Sequence, residues 1–244
     1  YDLDYKISPN FGLDVPMEQI SKGNGGSCVL SAYSSSVINL SNHLITSLGI
    51  TAQYFTLNKN WTVEPRAALK WSFNPKHALA LAYGLHSRRE KLDYYFVEQE
   101  ANGKTESNRY LDFSKAHHFG LTYDWNINSY MHLKVEPYYQ YLFRIPVEEN
   151  SSFSIINHQS FYLDRILKNR GSGVNYGIDI TLEQYMKNGF YYMITASLFK
   201  SKYKAGDNIW RNTRLDKNYL LNILAGKEWM VGRNKQNVLS LNGR

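Results

Sequence analysis

Cysteine is almost missing from this chain: Cys28 stands alone among 244 residues. That excludes a disulfide framework and a thiolate zinc site, and Cys28, at the head of a strand-like stretch, reads as inert. No segment approaches the roughly 20 continuous apolar residues of a transmembrane helix. Helical periodicity is hard to find anywhere. Nucleophile elbow, P-loop, dinucleotide fingerprint and zinc-protease helix are all lacking, so no catalytic residue and no cofactor is assigned. There is no stacking platform and no basic stripe on one element, which argues against nucleic acid as a partner. The chain opens at Tyr1 without initiator Met, basic n-region or apolar h-region, and it stops at Leu241-Asn-Gly-Arg244 inside a strand-like stretch. Both ends therefore read as cut from a longer polypeptide.

Aromatic residues are abundant, with 20 Tyr, 11 Phe and 5 Trp, and 28 Lys+Arg against 21 Asp+Glu leave a net charge of +7. The surplus suggests anionic neighbours without naming them. Alternation with period two runs through nearly the whole chain. In residues 61–73, Trp61, Val63, Pro65, Ala67, Leu69, Trp71 and Phe73 share one face, opposite Thr62, Glu64, Arg66, Ala68, Lys70 and Ser72. Residues 79–85, 118–125, 132–144 and 174–183 repeat the pattern. It predicts about ten strands, near 28–40, 44–56, 61–73, 77–88, 115–126, 131–144, 174–186, 190–203, 217–230 and 237–244.

The connections alternate in length. Asn74-Pro-Lys-His77, Asn126-Ile-Asn-Ser129, Lys187-Asn-Gly189 and Gly232-Arg-Asn-Lys235 are short and turn-forming. Long loops lie near 87–114, 145–173 and 201–216, and residues 57–60 form one short connection among them. An Asn102-Gly103 turn suggests that the strands flanking the first long loop extend beyond the sheet. The second long loop has room for a short helix near 160–168. Residues 1–27 read as a further extracellular loop, and 28–244 as barrel strands.

A soluble β-sandwich would alternate too. Strands of 11 to 14 residues, however, exceed the usual globular length of about 5–6 and suit a bilayer crossed at about 45°. Trp61 and Trp71 lie ten residues apart on one face, roughly 23 Å along the membrane normal at about 3.3 Å per residue. That matches an apolar band about 25 Å tall with an aromatic girdle at each rim. Glu64, Arg66, Lys70, Lys134, Glu136 and Glu183 fall on the opposite face, where a dry core would be costly and a water-filled or plugged lumen is suitable. The predicted fold is all-β, an antiparallel up-and-down transmembrane β-barrel. Val63-Glu-Pro65 and Val135-Glu-Pro137 each place a proline within a strand, where a ladder donor is lost; a bulge at each site would accommodate it.

Several segments then resemble a known family. Trp61-Thr-Val-Glu-Pro-Arg66, Ala82-Tyr-Gly-Leu-His-Ser87, Asn175-Tyr-Gly-Ile-Asp-Ile-Thr-Leu-Glu183, Thr195-Ala-Ser-Leu-Phe199, Ser201-Lys-Tyr-Lys204, Ile209-Trp-Arg-Asn212 and Ala225-Gly-Lys-Glu-Trp229 look like the C-terminal part of the barrel of TonB-dependent outer-membrane receptors, most of all those of Bacteroides-type bacteria. The resemblance covers residues 28–244. It implies a bacterial outer-membrane location and a 22-stranded barrel of which about ten strands are present. It also implies an N-terminal plug domain, absent from this segment, and import of a scarce nutrient powered by TonB through that plug. A surface lipoprotein is a further partner it allows. The departures are the missing plug, the missing TonB-contacting segment and the lack of a C-terminal strand ending in an aromatic residue.

On this reading, ligand would meet the long loops at Tyr94, Tyr95, Phe96, Trp210, Arg211 and Arg214, because aromatics and arginines supply contact area and fixed hydrogen bonds. The same residues would serve equally to brace the loops. The lumen charges pair with one another or with a plug. Arg88, Arg89, Lys91 and Lys115, at a loop base, would meet lipopolysaccharide phosphates or simply solvent. His117-His118 and His132 have no third ligand at a recognised spacing and read as solvated or lumen histidines, so no metal site is assigned. Two alternatives stay open: a passive porin, and an outer-membrane barrel enzyme for which His86, His118 and Asp124 are available without a recognisable arrangement.

Overall fold

The computed structural model describes residues 1–7, 18–101 and 103–244. The described residues form fifteen strands: β1 (Asp2–Ile7), β2 (Glu18–Asn24), β3 (Val29–Ser41), β4 (Leu44–Phe55), β5 (Asn60–Asn74), β6 (His77–Arg88), β7 (Glu98–Ala101), β8 (Lys104–Ser107), β9 (Ser114–Asn128), β10 (Met131–Val147), β11 (Lys168–Lys187), β12 (Phe190–Lys204), β13 (Trp210–Asn212), β14 (Tyr219–Val231) and β15 (Asn237–Gly243). One antiparallel sheet runs β15-β14-β12-β11-β10-β9-β6-β5-β4-β3, with β13 paired to the loop end of β12. Among the described residues the two edges, β3 and β15, are unpaired on their outer sides. The ten long strands fall where the alternation predicts them.

Turn chemistry sets the register. Asn188 and Gly189 both have positive φ, 54° and 73°, the requirement of a two-residue I′ hairpin turn, and they join Lys187 to Phe190 across β11–β12. At the β5–β6 turn, Asn74 Oδ1 accepts from Lys76 N and His77 N at 2.8 and 2.9 Å, so an asparagine side chain takes the place of a backbone acceptor. β9 runs on to Asn128, and the turn closes at Ser129-Tyr130, tighter than the composition of 126–129 predicts.

Neither proline sits in a bulge. The β4–β5 register is continuous through Ile50↔Pro65, while the β5–β6 ladder starts only at Arg66↔Gly84. Pro65 thus faces a neighbouring strand on one side alone. Pro137 keeps its register with Ile178 of β11, and the β9–β10 ladder skips Glu136 and Pro137 between Val135↔Tyr123 and Tyr138↔Gly120 without a shift. A gap in hydrogen bonding costs the ladder a contact but leaves the alternation of faces intact. Against β11 the register of β10 shifts instead at Leu142–Pro146, where Arg144 has φ 54°, and against β9 it shifts at Met131–His132.

The regions outside the long strands depart from the predicted loops. Within the segment read as an extracellular loop, 1–27, β1 and β2 pair antiparallel; residues 8–17 lie outside the described residues. β7 and β8 pair around Gly103, at φ 72°, but as a separate two-stranded sheet set off by 3-10 turns rather than as an extension of β6 and β9; Asn102 itself lies outside the described residues. No helix occupies 160–168: the second long loop holds a single 3-10 turn at Ile155–Asn157.

Candidate ligand-binding wall and loop cap

Register puts the apolar and the polar positions of β5, β6, β9, β10 and β11 onto opposite faces of one sheet. On the apolar face, Trp71 is paired with Leu44 and Leu79, Leu81 with Leu69 and Leu121, and Ile178 with Pro137 and Leu198. These residues have no second layer over them: Trp71, Leu81 and Leu198 are 51%, 55% and 56% exposed. An exposed apolar face of this extent marks a surface that a membrane or another protein covers. Aromatic rings gather at its two ends. Toward the short turns, Phe73 contacts Trp71 and His77 at 5.2 and 5.7 Å between centroids, and His77 in turn reaches Tyr123 and Trp125. Toward the long loops, Tyr83, His117, Phe119 and Phe143 form a second cluster at 5.0–6.5 Å. Two girdles bound one band.

The other face is polar and internally bonded. Glu64, Arg66, Lys70, Lys134, Glu136 and Glu183 all lie on it. Glu64 is 4% exposed and accepts from Gln53 Nε2 at 2.7 Å and from the Ser87 hydroxyl, with Arg66 Nη2 3.8 Å away. Arg66 Nη2 also donates to Thr51 Oγ1 at 2.5 Å. Lys134 pairs with Glu136 at 2.8 Å, and His132 Nε2 lies 3.1 Å from Asp124. Farther round, Asn175 Nδ2 donates to Gln140, and the Ser201 hydroxyl donates to Asn175 Oδ1. Lys70 and Glu183 make no ion pair among the described residues. A hollow of about 900 Å³ opens over this face where Gly49, Gly84 and Gly120 carry no side chains, between Arg66, His86, His118, Tyr138 and Gln140.

The long loops close over the end of this wall. Tyr94, Tyr95, Phe96, Val97, Leu111 and Phe113 from the first loop, Ile155, Leu163 and Leu167 from the second, and Phe55 and Ile145 from strand ends form one buried cluster, joined by Tyr1 and Leu3 of the N-terminal hairpin. Tyr94, Tyr95 and Phe96 are therefore 4%, 1% and 7% exposed. Their rings brace the loops and leave little surface for a ligand. Burial pushes the Tyr95 hydroxyl up to about 12, partly offset by the Glu90 N–H that it accepts at 3.2 Å. Three asparagines tie the loops together. Asn108 accepts from Leu167 N at 2.7 Å and donates to the Arg165 carbonyl; Asn169 accepts from Asp112 N; Asn58 donates to the Leu111 carbonyl at 2.7 Å. Sequence reasoning missed these, because a lone loop asparagine looks like any turn former.

Trp210, Arg211 and Arg214 occupy the third long loop. Trp210 is 46% exposed under the Lys204 ammonium, 5.9 Å from its ring centre. Arg211 is held by Asp207 at 2.9 and 2.5 Å, and its hydrogen bonds keep the Asp207 carboxyl below its ordinary range. Arg214 is exposed and lines a cleft of about 360 Å³ with Asn175, Ser201, Thr213 and Gln159. A second cleft, of about 630 Å³, lies among Arg88, Arg89, Lys91 and Tyr94. Both clefts share His158 and Gln159, so the first and third loops present arginines on the two sides of the second. Cys28 is exposed.

No family model matches the sequence, and no curated protein does. Solved structures do match the fold. The ferric-catecholate import receptor Fiu of Escherichia coli K12 superposes with a TM-score of 0.62 at 8% identity, over 85% of this chain and 32% of that one. The chain has the fold of a TonB-dependent receptor barrel. The alcaligin outer-membrane receptor FauA of Bordetella pertussis gives 0.58 at 13% identity, over 88% of this chain and 36% of that one. The ferripyoverdine receptor of the Pseudomonas aeruginosa outer membrane, bound to ferripyoverdine, gives 0.61 at 8% identity, over 88% and 27%. The chain thus spans about a third of the length of the receptor chains it matches. The sheet path from β3 to β15 is accordingly an arc of such a barrel, with the apolar band on its outside.

Proposed function

We propose that this chain is the barrel segment of an outer-membrane receptor that captures a scarce nutrient at the cell surface and imports it through a plugged lumen with energy from TonB. The observation that carries the reading is the joint arrangement of one sheet: a lipid-type apolar face with two aromatic girdles, a hydrogen-bonded polar face, and folded loops gathered at one end only. A passive pore needs the first two features; the loop cap over the polar wall is what a binding receptor adds. In this reading the segment is not an enzyme. Lipid covers the apolar face, and lipopolysaccharide phosphates meet the basic loop bases at Arg88, Arg89, Lys91 and Lys115. A plug packs on the lumen charges Glu64, Arg66, Lys70, Lys134, Glu136 and Glu183, and a surface lipoprotein covers the loops. Nutrient contacts the exposed loop residues Trp210 and Arg214 before it contacts the wall. Of the solved receptors named above, one imports a ferric catecholate and another is bound to ferripyoverdine, and an organic chelate is the substrate class their company favours.

The test uses the native polypeptide, extracted from outer membranes in detergent and detected by an antibody to this segment. A mass several-fold above 28.3 kDa and a site-specific crosslink to TonB are expected. A polypeptide near 28.3 kDa with no TonB crosslink would replace the receptor by a small passive channel.

A further inference from the structure

Seven histidines are present, and most have an evident use. The rings of His77, His117, His132 and His158 each bond through nitrogen, to Tyr123, Tyr83, Asp124 and the Tyr162 carbonyl respectively. His43 belongs to an exposed turn. His86 and His118 differ from these. Their ring centres are 4.6 Å apart at an interplanar angle of 52°, and neither ring nitrogen makes a hydrogen bond among the described residues. Both line the hollow on the polar wall.

The backbone is shaped for this meeting. His118 of β9 lies directly across from Gly84 of β6, and His86 lies two residues beyond Gly84 on the same face. A Cβ on Gly84 would come within 2.6 Å of His86 Nε2. The imidazole of His86 therefore rests over a position that only glycine leaves open, and the His118 ring lies beside it. No Asp or Glu lines the hollow, and its one guanidinium, Arg66, is already engaged by Thr51 and Glu64.

We propose that His86 and His118 form a two-histidine seat for a borderline divalent cation (Cu²⁺, Ni²⁺ or Zn²⁺) on the inner wall of the barrel. Imidazole suits these ions, whereas Ca²⁺ and Mg²⁺ are held chiefly by carboxylates, and no Asp or Glu lines the hollow. The geometry agrees. With metal–nitrogen bonds of about 2.0–2.1 Å, a cation sits about 3.2 Å from each ring centre, and two rings at about 90–110° around it stand about 4.5–5.2 Å apart. Two protein ligands leave the remaining positions to water or to the donor atoms of an incoming chelator, so the ion is exchangeable rather than structural. The seat requires only that this wall be wet, and it stands whether or not TonB powers transport.

The polypeptide carrying this segment, purified in detergent and stripped of metal, is titrated with Cu²⁺ alone and followed by calorimetry and electron paramagnetic resonance. One equivalent with nitrogen splitting from two imidazoles is expected. His86→Ala and His118→Ala should each weaken it at least tenfold, and His43→Ala should leave it unchanged. Gly84→Ala, which keeps both ligands but crowds His86, should weaken it as well. Heat-modifiable gel mobility confirms that each variant folds, and His86→Asn and His118→Asn replace any alanine variant that does not. Full affinity in both histidine variants, or loss of binding in His43→Ala, would overturn the seat.

Discussion

Tyr95 is the largest fully buried side chain of the loop cap. It is 1% exposed, meets the ring of Phe55 edge-on at 5.3 Å, and accepts from the backbone N–H of Glu90. Tyr95→Ala removes a fully buried ring, a change worth about 3–5 kcal/mol in a packed cluster, and should open residues 89–113 to protease while leaving the strands protected. The hydroxyl adds a pH dependence. Its proton is bound more tightly in the folded cap than in a free chain, so its contribution is fully present below the ordinary tyrosine pKa of about 10 and is lost as pH rises toward about 12. Protease protection of the loop should therefore fall across that window, and Tyr95→Phe, which has no proton to lose, should flatten the response. The same burial explains why Tyr94, Tyr95 and Phe96 could not be assigned from sequence: three consecutive aromatics in a polar loop are equally a binding patch or a core, and only the second loop folding onto them decides.

At the scale of the strand, adjacent residues live in different solvents. Leu198 points from β12 into the apolar band beside Ile178, and Ser197 points the other way, opposite Asp179. Leu198→Lys places a charge at mid-band and should cost about 2–4 kcal/mol, whereas Ser197→Lys should cost a small fraction of that. Urea unfolding of the two variants in lipid bilayers measures the difference; equal costs would mean that the faces are misassigned. Strand existence, length and facing were legible because period-two alternation over more than ten residues has no helical counterpart. The exact turn at Ser129-Tyr130 and the treatment of Pro65 and Pro137 were not, because both depend on where a neighbouring ladder stops.

For the molecule as a whole, the sheet is an arc with β3 and β15 at its edges. Unpaired edges in hydrocarbon carry unsatisfied N–H and C=O groups that water cannot reach, and exposed edges template further pairing. The 244-residue segment refolded alone should therefore assemble into multimers or aggregate, rather than give a heat-modifiable monomer; light scattering after chromatography in detergent reads the outcome. A monodisperse monomer would require β3 to pair with β15 and close a small barrel.

Alternation of residue types determined by itself that this chain is a ladder of long strands with one apolar and one polar face, because side-chain direction in a strand follows from position alone, while strand length and the spacing of the aromatics pointed to lipid on the apolar side. The paired charges of the wall share that legibility: Glu64 and Arg66, or Lys134 and Glu136, are neighbours along one strand face. The tertiary structure decided what lies between strands and loops. Asn108 reaching the backbone of Arg165 and Leu167, Phe55 seated under Tyr95, and His86 meeting His118 over Gly84 join residues 30 to 60 positions apart. Such contacts exist only once register and loop packing bring distant chain together, and no local pattern encodes them.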